Sequence, residues 1–136
     1  IQEYETRAAR YWPLELREVR EESARGAAPA IVREREGERL LAAAGTGALL
    51  VACDAEGDMR TSAELASWMT VERERATRDV AFVIGGANGL SPAVLAQAAQ
   101  RLSFSRFTLT HEMARLVLAE QLYRAGTIVR GEPYHK

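Results

Sequence analysis

Residues 80–95 read VAFVIGGANGLSPAVL and decide the fold, because an apolar run passes through a glycine-rich turn into a helical pattern. The run over 80–84 carries no polar residue, which is typical of a strand buried on both faces of a parallel sheet. Ser91 and Pro92 are favoured at the N-cap and at the first position of a helix. The stretch therefore predicts a strand, a glycine turn and a helix, the last covering AVLAQAAQRL at 93–102.

Helical and strand patterns alternate along the rest of the chain. The apolar run ALLVAC (48–53) predicts a second buried strand, and Thr61 with Glu64 has the spacing of a capping box at a helix start. Such alternation predicts a single α/β domain over residues 1–136, in which helices cover a parallel sheet. The remaining predicted elements are helices over 4–12, 30–44 (interrupted at Gly37), 63–76 and 112–125, and strands over 14–19 and 106–109.

The order of these elements is unusual at its beginning. Open parallel sheets of this kind usually begin with a strand, whereas the pattern here begins with the helix at 4–12. We therefore expect that an N-terminal strand of the sheet is missing from this chain.

Composition indicates a soluble protein. The 136 residues carry a net charge of −1 and include one cysteine, Cys53, which cannot form an internal disulfide. No apolar stretch reaches the roughly 20 residues that cross a bilayer. A lone cysteine is typical of a reducing compartment, so we expect a cytoplasmic protein without membrane contact.

Charge is distributed unevenly along the chain. Residues 101–136 carry +3, and the first hundred residues carry −4. The acidic balance argues against non-specific binding of nucleic acid, while the basic C-terminal part leaves room for a local surface that contacts phosphate. Scattered, solvated charge is the plainer interpretation of the same composition.

The glycine turn at 85–89 fits neither common phosphate-binding motif. A P-loop ends in Gly-Lys followed by Ser or Thr, and GGANGLS has no lysine; the dinucleotide motif G-x-G-x-x-G is not met either. Crossover turns at the carboxyl ends of parallel strands are nevertheless common ligand sites. On the residues alone, a turn that binds a ligand and a turn that binds nothing remain equal alternatives.

Four motifs in the second half of the chain together resemble one family. They are IGGANGLSP (84–92), TLTHEMAR (108–115), LAEQLYRA (118–125) and EPYHK (132–136), with the weaker stretches EGERLLAAAG and VACDAEGDMRTSAELASW upstream. The combination is similar to the SPOUT methyltransferases, in particular to those that methylate N3 of a pseudouridine in large-subunit ribosomal RNA. The alternatives are a knotted dimer that binds S-adenosylmethionine or RNA without catalysis, and an unrelated α/β nucleotide-binding enzyme.

The resemblance implies a C-terminal deep trefoil knot in which three loops hold S-adenosylmethionine. The first loop follows the strand that ends at Cys53, where the family more often has a larger aliphatic residue. The second is the glycine turn, with Gly85 and Gly86 against the cofactor. Cys53 is expected to form an apolar wall, and a nucleophilic role for it is the disfavoured alternative. The third loop supplies Phe104, Ser105, Arg106, Phe107, Thr108 and Leu109.

The resemblance also implies a cleft for ribosomal RNA, or for the assembled ribosome, that is partly contributed by a neighbouring subunit. His111, Arg115, Tyr134 and His135 are implied to line it, and His135 and Arg115 are the candidates for handling the N3 proton. Methyl transfer from a sulfonium depends on alignment and needs no metal, and the two histidines lack further ligands at zinc spacing. Apolar residues surround much of the predicted helix 112–125, which favours a homodimer interface over burial in one subunit.

Overall fold

The computed structural model of the protein describes residues 1–22, 26–75 and 79–136, which form five helices and three strands. The helices are α1 (Gln2–Ala8), α2 (Pro29–Ala44), α3 (Ser62–Arg75), α4 (Pro92–Gln97) and α5 (His111–Arg130). The strands are β1 (Leu49–Met59), β2 (Val80–Ile84) and β3 (Gln100–Ser103). The last predicted residue of the helix over 63–76 lies outside the described residues.

The three strands form one parallel sheet in the order β2-β1-β3. One face of the sheet carries Leu50 and Ala52 of β1, which pack into a core cluster with Val94 of α4. The opposite face carries Val51, which packs with Leu65 of α3. Helices therefore cover both faces, and the predicted α/β fold with a parallel sheet is confirmed.

Local signals placed several element boundaries correctly. The Thr61 hydroxyl accepts a hydrogen bond from the Glu64 amide at 3.0 Å, and the Thr61 amide donates to the Glu64 carboxylate at 2.8 Å, so the capping box is formed. Ser91 caps α4 by accepting from the Val94 amide. α2 is continuous through Gly37, contrary to the predicted interruption. A Cβ atom on Gly37 would lie 2.3 Å from the Ser91 hydroxyl oxygen, so a side chain at this position would overlap Ser91. Glycine thus lets α2 pack closely on the start of α4.

β1 is longer than the predicted strand, which ended at Cys53. Both Cys53 and Asp58 pair with Leu102 of β3, so the chain over 54–57 bulges from the ladder and then rejoins it. A Cβ atom on Gly57 would lie 2.5 Å from the carbonyl oxygen of Arg101, so only glycine fits where the bulge returns. The first of the three expected loops is therefore a bulge within a strand.

The predicted helix over 93–102 is present but shorter than expected, and the predicted strand over 106–109 is wrong. α4 ends at Gln97, and β3 takes Gln100–Ser103 instead. The Ala99 amide donates to the Leu50 carbonyl at 2.8 Å, which draws the following residues into pairing with β1. Pairing with a distant strand thus overrides the local helical preference of this stretch.

Residues 13–22, which include the predicted strand over 14–19, have no regular secondary structure, turn or bend. Within the described ranges, the main chain of this segment makes no hydrogen bond to another main-chain group. Its two ends are held by side chains: the preceding Trp12 donates to the Leu122 carbonyl, and the Glu22 amide donates to the Glu36 carboxylate. The strand prediction is wrong because, in the ranges 1–22, 26–75 and 79–136, no partner strand lies beside the segment.

Candidate active site

The three segments expected to hold the cofactor leave the sheet at one edge. Cys53 of β1 pairs with Ile84 on one side and with Leu102 on the other. The glycine turn directly follows β2, and residues 104–109 directly follow β3. Because the strands are parallel, these segments meet at the carboxyl edge, where open α/β sheets bind ligands.

The glycine turn is closed by its own main chain. The Gly89 amide donates to the Gly86 carbonyl at 3.0 Å, and Gly89 has a φ of +79°, which favours glycine. A Cβ atom on Gly85 would lie 2.8 Å from the carbonyl carbon of Gly89, so a side chain there would force the turn open. A Cβ atom on Gly86 would instead lie 3.0 Å from the Glu36 carboxylate, so Gly86 faces α2.

The segment over 104–109 is an irregular loop tied to the bulge in β1. The Ser103 hydroxyl donates to the Ala55 carbonyl at 3.0 Å, and the Arg106 guanidinium donates to the same oxygen at 3.2 Å. Phe107 is 81% exposed, although a phenyl ring usually prefers a buried position. The bulge and the loop are therefore held together, with an aromatic ring left free to meet another molecule.

Cys53 lies between the two neighbouring strands, and burial raises the pKa of its thiol to about 12. The thiolate is the nucleophilic form of a thiol, so the raised pKa makes the half-buried Cys53 side chain a weak nucleophile at neutral pH. A neutral thiol favours the expected apolar wall over a nucleophilic role, and the wall stays a prediction.

We expect iodoacetamide to alkylate Cys53 about 1000-fold more slowly in the folded protein than in guanidinium chloride at pH 8, because each pKa unit changes the thiolate fraction about tenfold. The unfolded chain ionises its thiol near pH 9, whereas the folded protein does so only near pH 12. The contribution of the neutral thiol to the free energy of unfolding is therefore complete below pH 9 and is lost as the pH rises towards 12. Mass spectrometry measures the reaction directly, since the chain has one cysteine. Rapid alkylation of the folded protein at pH 8 would contradict the burial.

The C-terminal tail folds back onto α5. The Tyr134 hydroxyl donates to the Glu120 carboxylate at 3.2 Å, and its ring lies 4.5 Å from that of Tyr123. The Arg124 guanidinium stands over the Tyr134 ring at 4.7 Å. Burial and the Glu120 charge raise the pKa of Tyr134 to about 12, so the phenol stays protonated and donates.

His135 is held by Arg124, whose Nη1 lies 3.2 Å from the imidazole Nδ1. A guanidinium only donates hydrogen bonds, so Nδ1 accepts and a neutral His135 carries its proton on Nε2. In this arrangement Nε2 presents a donor to solvent. Nδ1 of His135 can accept a proton only after its hydrogen bond from Arg124 is broken.

His111 and Arg115 lie apart from the tail. Arg115 donates to Glu5 at 2.8 Å and to Glu18 at 2.8 Å, and the hydrogen bond to Glu5 is the main cause of its raised pKa. His111 lies 3.7 Å from the Glu21 carboxylate. Within the described chain, no hydrogen bond or ion pair joins these two residues to the tail. The tail instead contacts Glu120 and Arg124, two residues that the sequence analysis missed although their i,i+4 spacing within LAEQLYRA places them on one helix face.

A groove of about 450 Å³ lies between β2 and residues 14–21, beneath α5 and above α2. It reaches Gly85 and Gly86 at one end, but its lining does not include Cys53 or the 104–109 loop. The groove is therefore a separate feature that meets the expected cofactor segments only at the glycine turn.

Neither a membrane span nor a metal cluster is found in the ranges that the structure describes. No helix there is long and apolar enough to cross a bilayer. Among the same residues, no three side chains of His, Cys, Asp or Glu come together in a way that would hold a metal ion.

The family model described as "Predicted SPOUT methyltransferase" matches residues 1–135 of this chain. The chain belongs to the SPOUT methyltransferase family. Three curated relatives of this SPOUT chain carry the name "Ribosomal RNA large subunit methyltransferase H". The relative from Gemmatimonas aurantiaca is 58% identical over 136 residues, which cover 100% of this chain and 88% of the relative. The relative from Geobacter sp. strain M21 is 50% identical over 99% of this chain and 86% of its own length. The relative from Anaeromyxobacter sp. strain K is 50% identical over 100% of this chain and 88% of its own length.

Proposed function

We propose that this SPOUT methyltransferase transfers a methyl group from S-adenosylmethionine to N3 of a pseudouridine in large-subunit ribosomal RNA. The observation that carries the proposal is the convergence of the Cys53 strand, the glycine turn and the 104–109 loop at the carboxyl edge of the sheet. The names of the curated relatives support large-subunit ribosomal RNA as the substrate. The enzyme would act in the cytoplasm and without a metal.

The residues at this edge fit S-adenosylmethionine. Gly85 and Gly86 are half-buried and have no side chain to cover their main chain, and the 104–109 loop adds amide and carbonyl groups that are not engaged in a sheet. Such groups match the donors and acceptors of an adenine edge, and the neutral thiol of Cys53 adds an apolar surface. When bound, the cofactor supplies a methyl group on a sulfonium. The loop residues in this role are Phe104, Ser105, Arg106, Phe107, Thr108 and Leu109.

The tail would position the RNA. The Nε2–H group of His135 is directed away from Arg124 and can donate to a phosphate or a base oxygen. Tyr134 orients the tail by its contact with Glu120. His111 and Arg115 would line the same cleft from a neighbouring subunit, where Arg115 must share its guanidinium with Glu5 and Glu18.

We further propose a homodimer and a C-terminal trefoil knot for this chain. Leu122 is 5% exposed and belongs to the core cluster of one subunit, so the dimer contact cannot use it. Met113 is 48% exposed and lies on the side of α5 away from that cluster, with Val117 one turn later. This outer face is the better candidate for contact with a second copy.

The groove beside β2 supports a further strand of the sheet upstream of residue 1. β2 pairs with β1 on one side, and on its other side it faces the unpaired segment over 13–22 across the groove. An unprotected edge strand is normally covered in folded proteins. A strand in this position would pair with β2 and with the 14–19 segment, which then becomes a strand as its residue pattern predicts.

The proposed activity is tested by incubating the protein with tritiated S-adenosylmethionine and with ribosomes, isolated large subunits or free ribosomal RNA. We expect label in large-subunit RNA, at N3 of one pseudouridine when the nucleotide is mapped by digestion and mass spectrometry. RNA in which that pseudouridine is replaced by uridine is the matched control and should stay unlabelled. Cofactor binding without transfer to any of the three substrates would favour the non-catalytic binding dimer.

A further inference from the structure

Two arginines stack on aromatic rings beside the segment that follows α1. The guanidinium carbon of Arg73 in α3 lies 3.8 Å from the ring centroid of Trp12, and its Nη2 donates to the Tyr11 carbonyl at 2.6 Å. Arg130, the last residue of α5, stands over the Tyr11 ring at 4.8 Å. Its Nη2 lies 3.5 Å from the carbonyl oxygen of Arg10, which is itself exposed. We call Arg10, Arg73 and Arg130 the arginine surface.

The arginine surface carries more positive charge than its surroundings neutralise. Among the residues that the structure describes, none of its three side chains forms an ion pair, and the remaining residues of the chain include no aspartate or glutamate. Glu132 is held beside the surface, because it accepts a hydrogen bond from the Tyr11 hydroxyl at 2.5 Å, and it offsets one of the three charges. The positive charge that is left attracts an anionic molecule.

Stacking holds the two guanidiniums in a way that suits phosphate. An aromatic ring engages the flat face of a guanidinium, so the N–H groups at its edge stay available to pair with two oxygens of a phosphate. In the described part of the chain, the Tyr11 carbonyl is the one hydrogen-bond partner of the Arg73 side chain. The Arg130 side chain makes only the 3.5 Å contact with the Arg10 carbonyl. Most donors of both side chains therefore remain free, next to each other on adjacent rings.

A row of tyrosines joins the arginine surface to the C-terminal tail. The ring centroid of Tyr11 lies 5.9 Å from that of Tyr123, which lies 4.5 Å from that of Tyr134. The tail is the part of the molecule that is proposed above to position the RNA. The arginine surface is thus two ring contacts away from the tail, within reach of the same nucleic-acid strand.

The arginine surface lies apart from the face proposed for the homodimer. Met113 is in the first turn of α5 and Arg130 ends the helix, so about 25 Å of helix separates them. Charge also disfavours a second copy of the chain at the arginine surface. A two-fold contact there would bring the same three arginines of both copies together, and like charges across an interface repel.

We propose that the arginine surface binds phosphates of the ribosomal RNA beside the target nucleotide and thereby docks the substrate. The inference rests on the proposed function, and it adds an RNA contact separate from the tail and from the segments expected to hold the cofactor. RNA fits this surface better than an acidic protein, because its phosphates repeat along the strand as the two guanidiniums repeat on adjacent rings. These contacts are the same before and during methyl transfer, so they act on KM and not on kcat.

The double variant Arg73→Gln/Arg130→Gln tests the proposal, because glutamine removes both charges but keeps a long polar side chain. The matched control is Arg17→Gln/Arg35→Gln, which changes the net charge equally at two exposed arginines that are already paired with glutamates. Binding to free large-subunit ribosomal RNA is measured at several salt concentrations. Methyl transfer from tritiated S-adenosylmethionine is measured as a function of ribosome concentration.

We expect the double variant to bind RNA about 20-fold more weakly than the wild type at about 0.1 M salt. The slope of log Kd against log salt should fall by about 1.4, as the loss of two phosphate contacts to a single strand would give. KM for ribosomes should rise by a similar factor while kcat stays within about twofold, and the control should change neither quantity by more than about threefold. Unchanged RNA affinity in the double variant would overturn the proposal. A raised KM for ribosomes with unchanged binding to free RNA would also overturn it, since the occupant would then be a ribosomal protein.

The variant Arg73→Lys/Arg130→Lys separates charge from packing, because it keeps both charges but not the planar groups that cover the rings. It should bind RNA more tightly than the glutamine variant and keep most of the wild-type salt slope. Equal weakness of the two variants would show that the arginines act by packing on Tyr11 and Trp12, which would contradict the proposed phosphate contacts.

Modification of the wild-type protein with phenylglyoxal tests the same surface without any variant. Ribosomal RNA should slow the modification of Arg73 and Arg130 several-fold and leave that of Arg17 and Arg35 unchanged, as measured by mass spectrometry of peptides. Equal modification of all four arginines with and without RNA would overturn the proposal. Protection by RNA without methyl transfer by the wild type would support the docking and contradict only the proposed activity.

Discussion

Deletion of Tyr134–Lys136 is expected to lower methyl transfer to ribosomes by about 100-fold or more, while affinity for S-adenosylmethionine stays within about threefold. The deleted residues contact Glu120, Tyr123 and Arg124 on α5. Among the residues that the structure describes, no side-chain hydrogen bond or ring contact joins them to the glycine turn or to the 104–109 loop. The two readouts are a filter assay with tritiated cofactor and calorimetry of cofactor binding.

Removal of Lys136 alone is the matched control, because it shortens the tail but keeps the two side chains that fold onto α5. His135→Ala and Tyr134→Phe then divide the effect: the first removes the imidazole with its Nε2 donor, and the second removes the hydroxyl that donates to Glu120 but keeps the ring. Arg115→Ala does not serve this purpose, since it also breaks two ion pairs. Full transfer activity in the tail deletion would show that the substrate site lies elsewhere.

Gly85→Ala is expected to weaken S-adenosylmethionine binding by about 30-fold, which corresponds to the loss of about two hydrogen bonds of 1 kcal/mol each. The added Cβ atom would lie 2.8 Å from the Gly89 carbonyl carbon, so the turn must open and its main-chain groups must shift. Calorimetry gives the affinity, and circular dichroism shows whether the fold persists.

Ala87→Val provides the comparison for Gly85→Ala, because Ala87 is in the same turn but exposed. It should bind the cofactor like the wild type. Gly86→Val is less informative than its position suggests, since its side chain would press on Glu36 rather than extend over the sheet edge. Unchanged cofactor affinity in Gly85→Ala would remove the glycine turn from the proposed site.

Elements with a local cause were predictable from the sequence. β2 is a continuous apolar run, and α4 begins where Ser91 and Pro92 favour a helix start. The Thr61 hydroxyl and the Glu64 carboxylate form the capping box within one helical turn. In each case the residues that cause the element are its neighbours in the chain.

Elements that depend on distant partners were not predictable in the same way. β3 contains Gln100 and Arg101, which carry no strand pattern and pair because β1 lies beside them. The segment over 14–19 has a strand pattern, but strand formation requires a partner, and none lies beside it among the residues that the structure describes. Both errors arise because pairing between strands is decided by tertiary context.

The candidate site also has parts that were predictable from the sequence and parts that depend on distant contacts. The family motifs indicated the three segments at the sheet edge, and the sheet register places them together. The contacts of the tail with Glu120 and Arg124 depend on its reversal after α5, where Gly131 has a φ of +68°. A glycine after a helical pattern indicates that the chain can reverse there, but it does not indicate which side chains the reversal brings into contact.

Tyr11 connects the two ends of the described chain. Its hydroxyl donates to Glu132, which follows α5, and its ring lies where a side chain on Gly126 would otherwise stand. Terminal segments commonly fray independently of the rest of a protein. Here the end of α5 cannot fray without breaking contacts made by the segment that follows α1. Local opening at the end of α5 is therefore transmitted to the segment that follows α1, and the reverse.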